Sequence, residues 1–324
     1  MEYFHIVISQ IVIFVIYALI GVAAVKTSIL NESGLDVISR LVIKITLPIM
    51  IFHNTITGAD VEQFMSTMSV ILLTAVMYGS MYVVSFGLKK LFRLEGNKGK
   101  VFHANTMFGN IGFMGIPIMA AFFPENGMLY IALFTVVDQL VLWTVGVQLT
   151  LPEDSGRNSR ETGEKEGRAF LVQTIKKLVN PATVAITLAV IGIFLKIKLP
   201  YELDTALGKV GGITSPLAMI YIGALFCYTD IKGSLKQKEF YGTVLVKMLL
   251  YPIAFFAFMG LFPWINEDVR LAMTILSALP TMTSIAMLAK SQKSEGEYSA
   301  GGVFVTTLCS MVTLPVVCYV MAML

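Results

Sequence analysis

Apolar stretches long enough to cross about 30 Å of hydrocarbon as helices recur along the whole chain, and they constrain its fold more than any other feature. Hydrophobic residues make up 56% of the 324 residues and charged residues only 14%, against about 25% charged in soluble domains. A water-soluble domain could not bury so much apolar surface. Ten membrane spans are predicted, at about residues 6–25, 38–56, 66–87, 101–122, 129–150, 182–197, 209–228, 241–262, 270–289 and 301–323. The sequence therefore predicts an all-α integral membrane protein.

Composition also argues against several partners and cofactors. The net charge of +3 is small and the basic residues form no single run, so we expect no nucleic acid partner. Cys227, Cys309 and Cys318 lie in apolar stretches without C-x-x-C spacing, which favours buried hydrophobic side chains over metal ligands or disulfides. We expect no metal and no cofactor, membrane lipid around the helices, and a homodimer as a candidate assembly.

The positions of lysine and arginine predict the orientation in the membrane. If the N-terminus faces outward, most of these residues fall in loops on the inner side, and the outer loops hold only Lys196, Lys198, Lys209 and Arg270. The first apolar stretch follows no basic segment and precedes no small-residue cleavage site, so we expect it to be a retained span. The prediction is a multi-pass protein of the cell membrane with both termini outside.

A polar stretch near the middle of the chain predicts a division into two halves. Residues 153–168 (EDSGRNSRETGEKEGR) mix acidic and basic side chains and lack apolar ones, as in a solvated linker. We therefore predict a first five-helix repeat in residues 1–150, a cytoplasmic linker in residues 151–180 and a second five-helix repeat in residues 181–324. All three belong to one membrane domain.

Weak internal similarity supports that division. The matching pairs are Thr46–Met50 with Thr214–Ala218, Gly109-Asn110 with Pro280-Thr281, and Phe134 with Phe304. The separation within each pair is nearly constant, which is difficult to obtain by chance three times. Because each half has an odd number of spans, the second half would enter the membrane from the opposite side. The sequence thus predicts an inverted repeat, a layout shared by many secondary transporters.

The fourth and ninth predicted spans are poor material for straight helices. Residues 105–117 contain three glycines, two asparagines and a proline, and Pro280 interrupts the ninth span. Irregular backbone at membrane depth is tolerated only where it lines a cavity or is buried in protein. We expect the two broken helices to cross near the midplane and to present helix N-termini to an anion. The alternative is that these glycines and prolines serve only close packing or kinks.

Several motifs resemble those of the auxin efflux carrier family. The segments GNIGFMGIP (109–117) and DQLVLW (138–143) are similar to its fourth and fifth spans, and ALPTMTSIAMLAK (278–290) and TLPVV (313–317) to its last two. The resemblance implies ten helices in two inverted halves, crossing fourth and ninth helices, and an elevator fold like that of bile-acid/sodium symporters. It also implies transport of a small organic anion, a carboxylate such as malate, malonate or an auxin-like acid. In one departure from the plant carriers, residues 64–70 (FMSTMSV) lack an acidic residue.

Seven residues around the two breaks are predicted to bind the substrate. They are Gly109, Asn110, Pro117, Gln139, Pro280, Thr281 and Thr283. The Asn110 carboxamide would donate to a carboxylate without the desolvation cost of a buried cation. In the alternative interpretation, Asn110 satisfies its own kinked backbone and Gln139 joins neighbouring helices.

Asp138 is the predicted ion-coupling residue. It lies in the middle of an apolar span, where a carboxylate must be paired, protonated or next to a cation. We therefore predict coupling to H+ or Na+ through Asp138. The alternative is a structural acid hydrogen-bonded to Thr135 or Gln139. For Lys247, which lies within the eighth span, we expect the side chain to extend to the inner headgroups.

Two other classes of function are weighed against the carrier. An anion channel or uncoupled facilitator would use the same helix dipoles, but the sequence shows no ring of pore charges. A membrane-embedded enzyme is a weaker rival, because no H-E-x-x-H, no G-x-S-x-G and no nucleophile–base pair is present. We therefore predict a transporter and no enzyme.

The orientation can be tested by cysteine labelling. In a cysteine-free background, a cysteine placed in residues 153–168 should react with membrane-impermeant reagents only from the cytoplasmic side. Lys198→Cys, in a predicted outer loop, is the matched control and should react from outside intact cells. Labelling of residues 153–168 from outside would overturn the predicted orientation.

Overall fold

Helices account for every regular element in the described part of the chain. The computed structural model describes residues 2–58, 61–153 and 181–323, so nearly all of the predicted linker at 151–180 lies outside the described residues. The one pairing of strand type found in these ranges is an antiparallel bridge between Gly109 and Thr281. The predicted all-α class is confirmed for this part of the chain.

The described residues of the first half form nine α-helices. They are α1 (Glu2–Lys26), α2 (Glu32–Leu41), α3 (Leu47–Gly58), α4 (Val61–Ser66), α5 (Ser69–Leu91), α6 (Gly96–Met107), α7 (Ile116–Phe122), α8 (Gly127–Val141) and α9 (Val147–Thr150). Single π-helical turns join α2 to α3 and α8 to α9, and a third precedes α7; they are Val42–Thr46, Leu142–Gly146 and Ile111–Gly115. Such turns locally widen a helix and are frequent at functional sites.

The second half, described from residue 181 to residue 323, also forms nine α-helices. They are α10 (Pro181–Phe194), α11 (Tyr201–Gly212), α12 (Thr214–Phe226), α13 (Ile231–Leu235), α14 (Lys238–Leu245), α15 (Tyr251–Met259), α16 (Glu267–Ser277), α17 (Thr283–Ser291) and α18 (Gly296–Met321). A π-helical turn, Val246–Leu250, joins α14 to α15.

Helix occurs at each of the ten predicted spans. Within the described ranges, five helices are long and apolar enough to cross a membrane, namely Ser69–Leu91, Gly127–Thr150, Tyr201–Phe226, Lys238–Met259 and Gly296–Met321. Shorter apolar helices are Val12–Lys26, Ile111–Phe122 and Thr183–Phe194. The fourth and ninth predicted spans are each interrupted, after Met107 and after Ser277, so neither forms one long helix. The chain is a multi-pass membrane protein.

Many of the helix contacts fall into two groups, which also touch each other where α1 packs on α18 and α3 packs on α8. In the first group, α1 runs along α12, while α10 and α11 pack on α3. In the second group, α5 packs on α6 and α8, and α18 packs on α17, α14 and α6. The interrupted helices therefore lie in the second group, and α3 with its preceding π-turn belongs to the first.

Glycine allows α1 and α12 to approach closely. A Cβ atom on Gly21 would overlap the carbonyl oxygen of Ile220, and one on Gly223 would overlap that of Ala18. Small residues at helix crossings permit such backbone contact in membranes, where association depends on packing rather than on the hydrophobic effect. The two glycines thus fix the distance between α1 and α12.

This close crossing gives a stability prediction. Gly223→Leu should destabilise the protein by about 1–3 kcal/mol, because the new side chain meets backbone that cannot move without separating the helices. Gly87→Leu is the matched control, since a Cβ at Gly87 meets nothing within 4 Å. Thermal unfolding in detergent should show a lower Tm for the first variant and little change for the second. Equal Tm values would contradict the close contact.

Candidate functional site

The two helix breaks meet and satisfy each other's backbone. Phe108, directly after α6, and Met282, directly before α17, both have extended backbone. The Asn110 N–H donates to the Pro280 carbonyl at 2.8 Å, and the Met282 N–H donates to the Phe108 carbonyl at 3.1 Å. Backbone groups without a partner are costly in a membrane interior, so each break stabilises the other. We call residues 108–110 and 280–282 the crossing.

Buried side chains complete the hydrogen bonding of the crossing. The Thr281 hydroxyl donates to the Asn105 carbonyl at 2.9 Å, and the Thr281 N–H donates to the Thr306 hydroxyl at 3.1 Å. The Asn110 carboxamide nitrogen donates to the Thr283 hydroxyl at 3.2 Å. All five residues are buried. Thr281 and Thr283 therefore form their hydrogen bonds with other residues of the protein.

A cavity of about 240 Å³ lies against the crossing. Its wall comes from α3 and the preceding π-turn, from the segments after both breaks, and from α8 with its π-turn. The lining residues are Ile43, Leu47, Ile51, Asn110, Ile111, Gly112, Phe113, Ile116, Thr135, Asp138, Gln139, Leu142, Trp143, Pro181, Met282, Ser284, Met287 and Leu288. Most are aliphatic or aromatic, and a few polar side chains converge among them. This is the usual composition of a small-molecule site.

The structure brings three of the eight predicted site residues to the cavity wall and places the other five elsewhere. The three at the wall are Asn110, Gln139 and Asp138. The other five are Gly109, Pro280, Thr281, Thr283 and Pro117. Gly109, Pro280 and Thr281 form the crossing, Thr283 bonds to Asn110 behind the wall, and Pro117 is the second residue of α7. Whether any of the eight contacts a substrate stays a prediction.

Asp138 is held by a chain of hydrogen bonds that ends at the cavity. The Tyr78 hydroxyl donates to one carboxylate oxygen, and the Gln139 amide donates to the other at 3.0 Å. Trp143 in turn donates its indole N–H to the Gln139 side-chain oxygen at 3.2 Å. Thr135, one of the two partners that the sequence suggested, donates instead to the Ile131 carbonyl at 2.6 Å. Asp138 is thus paired and also faces the cavity.

Sequence reasoning missed Tyr78. In the third predicted span, the sequence comparison with the plant carriers concerned residues 64–70, which lack an acidic residue. Tyr78 lies in α5, which packs on α8, the helix that contains Asp138. Its ring also contacts that of Phe108, with the ring centroids 5.5 Å apart. A buried tyrosine needs a hydrogen-bond partner, so a tyrosine deep in an apolar span was the available signal.

Lys247 does not extend to the headgroups, and that expectation was wrong. Its side chain is 1% exposed, and its ammonium donates to the Phe108 carbonyl at 2.6 Å. The last carbonyls of a helix have no intrahelical partner, and the end of α6 is buried. A buried donor at that end is more favourable than an extended side chain, which explains the difference.

The N-terminal turns of two helical segments line the same cavity. Gly112 and Phe113 belong to the first turn of the helical segment that starts at Ile111, and Ser284 belongs to the first turn of α17. All three line the cavity. First-turn N–H groups have no intrahelical acceptor, and the helix dipole is positive there. This wall can therefore attract a small anion.

Titratable groups at the cavity are few. Among the lining residues that the structure describes, Asp138 is the one with an ionisable carboxyl group, and none is lysine, arginine or histidine. Across the described ranges, no three His, Cys, Asp or Glu side chains are placed to hold a metal ion. Asp138 is the group at this cavity that can take up a proton or a monovalent cation.

Comparisons with known proteins identify the family of the chain. Residues 5–318 match the model of the membrane transport protein family. An uncharacterized transporter of Methanocaldococcus jannaschii is 22% identical over 317 residues, which cover 94% of this chain and 95% of that protein. The family match extends over nearly the whole chain, including both breaks and the cavity. The chain therefore belongs to the membrane transport protein family, the auxin efflux carrier family that its motifs resemble.

Proposed function

We propose that the protein is a secondary active carrier that moves a small carboxylate, such as malate, malonate or an auxin-like acid, across the cell membrane. The observation that carries the proposal is the convergence of Asn110, two helix N-termini and Asp138 on one cavity beside two crossing broken helices. The carboxamide nitrogen of asparagine has two hydrogens. Asn110 uses one on Thr283, and the other is suited to a substrate carboxylate.

We also propose the inverted repeat of two five-helix halves. Helices start at residues 32, 69, 96 and 127 in the first half and at 201, 238, 267 and 296 in the second, which are displacements of 169, 169, 171 and 169 residues. The antiparallel bridge between Gly109 and Thr281 supports opposite directions for the two interrupted spans. An odd number of spans in each half would produce that inversion, with both chain termini outside.

An elevator movement is the mechanism that this arrangement supports best. The cavity lies between the first helix group, represented by Ile43, Leu47 and Ile51, and the crossing in the second group. If the second group moves against the first, the cavity and its contents change sides together. Alternating access in many secondary transporters takes place by such movement of one bundle against another.

Uptake by proteoliposomes tests the proposal. Purified protein should take up at least one of radiolabelled malate, malonate and indole-3-acetate, and should concentrate it when a proton or sodium gradient is applied. A channel or facilitator would equilibrate the acid without concentrating it. Protein-free liposomes are the control, and no uptake of any of the three acids would contradict the proposal.

Asn110→Ala should weaken substrate binding about tenfold or more. The variant loses a donor to a charged group, which is worth about 1.5–3 kcal/mol. Affinity is measured by thermal shift or radioligand binding on purified protein. Asn97→Ala is the matched control, because Asn97 lies outside the cavity lining. Unchanged affinity in Asn110→Ala would place the carboxylate elsewhere.

Asp138→Asn should abolish accumulation while substrate exchange continues. Asparagine retains the shape and can still hydrogen-bond, but it cannot release a proton or neutralise a cation. Tyr78→Phe is the matched variant, since it removes a donor to Asp138 and keeps the carboxylate. We expect Tyr78→Phe to accumulate substrate and Asp138→Asn only to exchange it across equal concentrations. Accumulation by Asp138→Asn at the wild-type level would make Asp138 a structural acid.

A further inference from the structure

Lys247 is a buried basic residue that has no role in the proposed function as described so far. The cavity would take an anion, yet none of its described lining residues is a lysine, arginine or histidine, and Asp138 contributes negative charge when ionised. An anion that enters the cavity loses its hydration, which is costly unless positive charge lies nearby. Two helix N-termini supply partial charges only. The lining residues alone therefore supply no full positive charge to balance a bound anion.

The Lys247 ammonium touches the backbone junction directly behind the cavity. It donates to the Phe108 carbonyl, which also accepts from the Met282 N–H. Phe108 precedes Asn110 by two residues, and both Asn110 and Met282 line the cavity. The positive charge therefore lies at the crossing and outside the space that a ligand would occupy.

The described contacts leave this charge without an ionic partner. Within the described ranges the ion pairs are His53 with Asp204, Lys98 with Glu239 and Lys290 with Glu32, and Lys247 takes part in none of them. A carbonyl satisfies a donor but does not cancel a full charge. Because the surroundings are buried and apolar, the field of the ammonium is weakly screened and reaches the neighbouring cavity.

We propose that Lys247 is the specificity-determining cation of the carrier: from behind the crossing, it supplies the positive charge that makes the cavity select an acid over its neutral analogue. The inference rests on the proposed function, because it assigns a residue to selectivity at the same site. Lys247 acts at a distance and does not touch the ligand.

A purely structural role makes a different prediction. If Lys247 only caps the end of α6, its loss would distort the crossing and weaken the binding of acids and neutral analogues alike. If it sets selectivity, its loss would weaken acids specifically. The ratio of affinities for an acid and its amide separates the two roles, and this ratio does not depend on how much of a variant folds.

The experiment uses three substitutions at Lys247 and one control. Lys247→Gln removes the charge but retains a donor for the Phe108 carbonyl, Lys247→Met removes both, and Lys247→Arg keeps the charge. Lys209→Met is the matched control, because Lys209 is an exposed lysine of α11. The probes are indole-3-acetate with indole-3-acetamide and malonate with malonamide. Their dissociation constants are measured on the purified full-length protein.

We expect Lys247→Gln and Lys247→Met to lose about tenfold or more in affinity for the acid, with amide affinity unchanged. Lys247→Arg and Lys209→Met should retain the wild-type ratio of acid to amide. An unchanged ratio in the two neutral variants, or equal losses for acid and amide, would overturn the role of Lys247 while wild-type binding upholds the carrier. Failure of the wild-type protein to bind or take up any of the acids would instead contradict the proposed function, and this inference with it.

Discussion

The two hydrogen bonds between the breaks, from Asn110 to Pro280 and from Met282 to Phe108, are the contacts on which the site depends. A helix that stops inside a membrane exposes carbonyls at one end and N–H groups at the other, and lipid satisfies neither. Here each interrupted segment supplies partners for the other. Neither break would be tolerated alone, so the two halves of the chain must fold against each other at this point.

Once the backbone of the crossing is satisfied from within, few polar groups are left for a ligand. Thr281 is hydrogen-bonded to Asn105 and Thr306, and the Lys247 ammonium donates to the Phe108 carbonyl. The polar side chains that line the cavity are those of Asn110, Thr135, Asp138, Gln139, Trp143 and Ser284. This separation explains why residues that look alike in sequence, such as Thr281 and Ser284, have different positions relative to the cavity.

Local sequence signals predicted much of this arrangement. Glycine, asparagine and proline clusters located both breaks, and a lone acid in an apolar span located Asp138. Long-range partners could not be predicted in the same way. Tyr78 and Lys247 are ordinary members of apolar helices until the fold brings them to Asp138 and Phe108, 60 and 139 residues away. Likewise, Thr281 and Thr283 had the chemistry of ligand-binding residues, and only the crossing shows that their hydroxyls are engaged within the protein.

The distribution of polar and apolar residues around the cavity suits the proposed movement of one helix group against the other. Toward the first group the wall consists of the apolar residues Ile43, Leu47, Ile51 and Pro181, whereas the polar groups belong to the crossing, to α8 with its π-turn and to α17. Hydrogen bonds are directional and must break when one surface slides past another. Apolar contacts are not directional, and they lose little when one aliphatic side chain replaces another. A ligand held by its polar end at the crossing could therefore travel with the second group while its apolar part slides over α3, without a large barrier from broken hydrogen bonds.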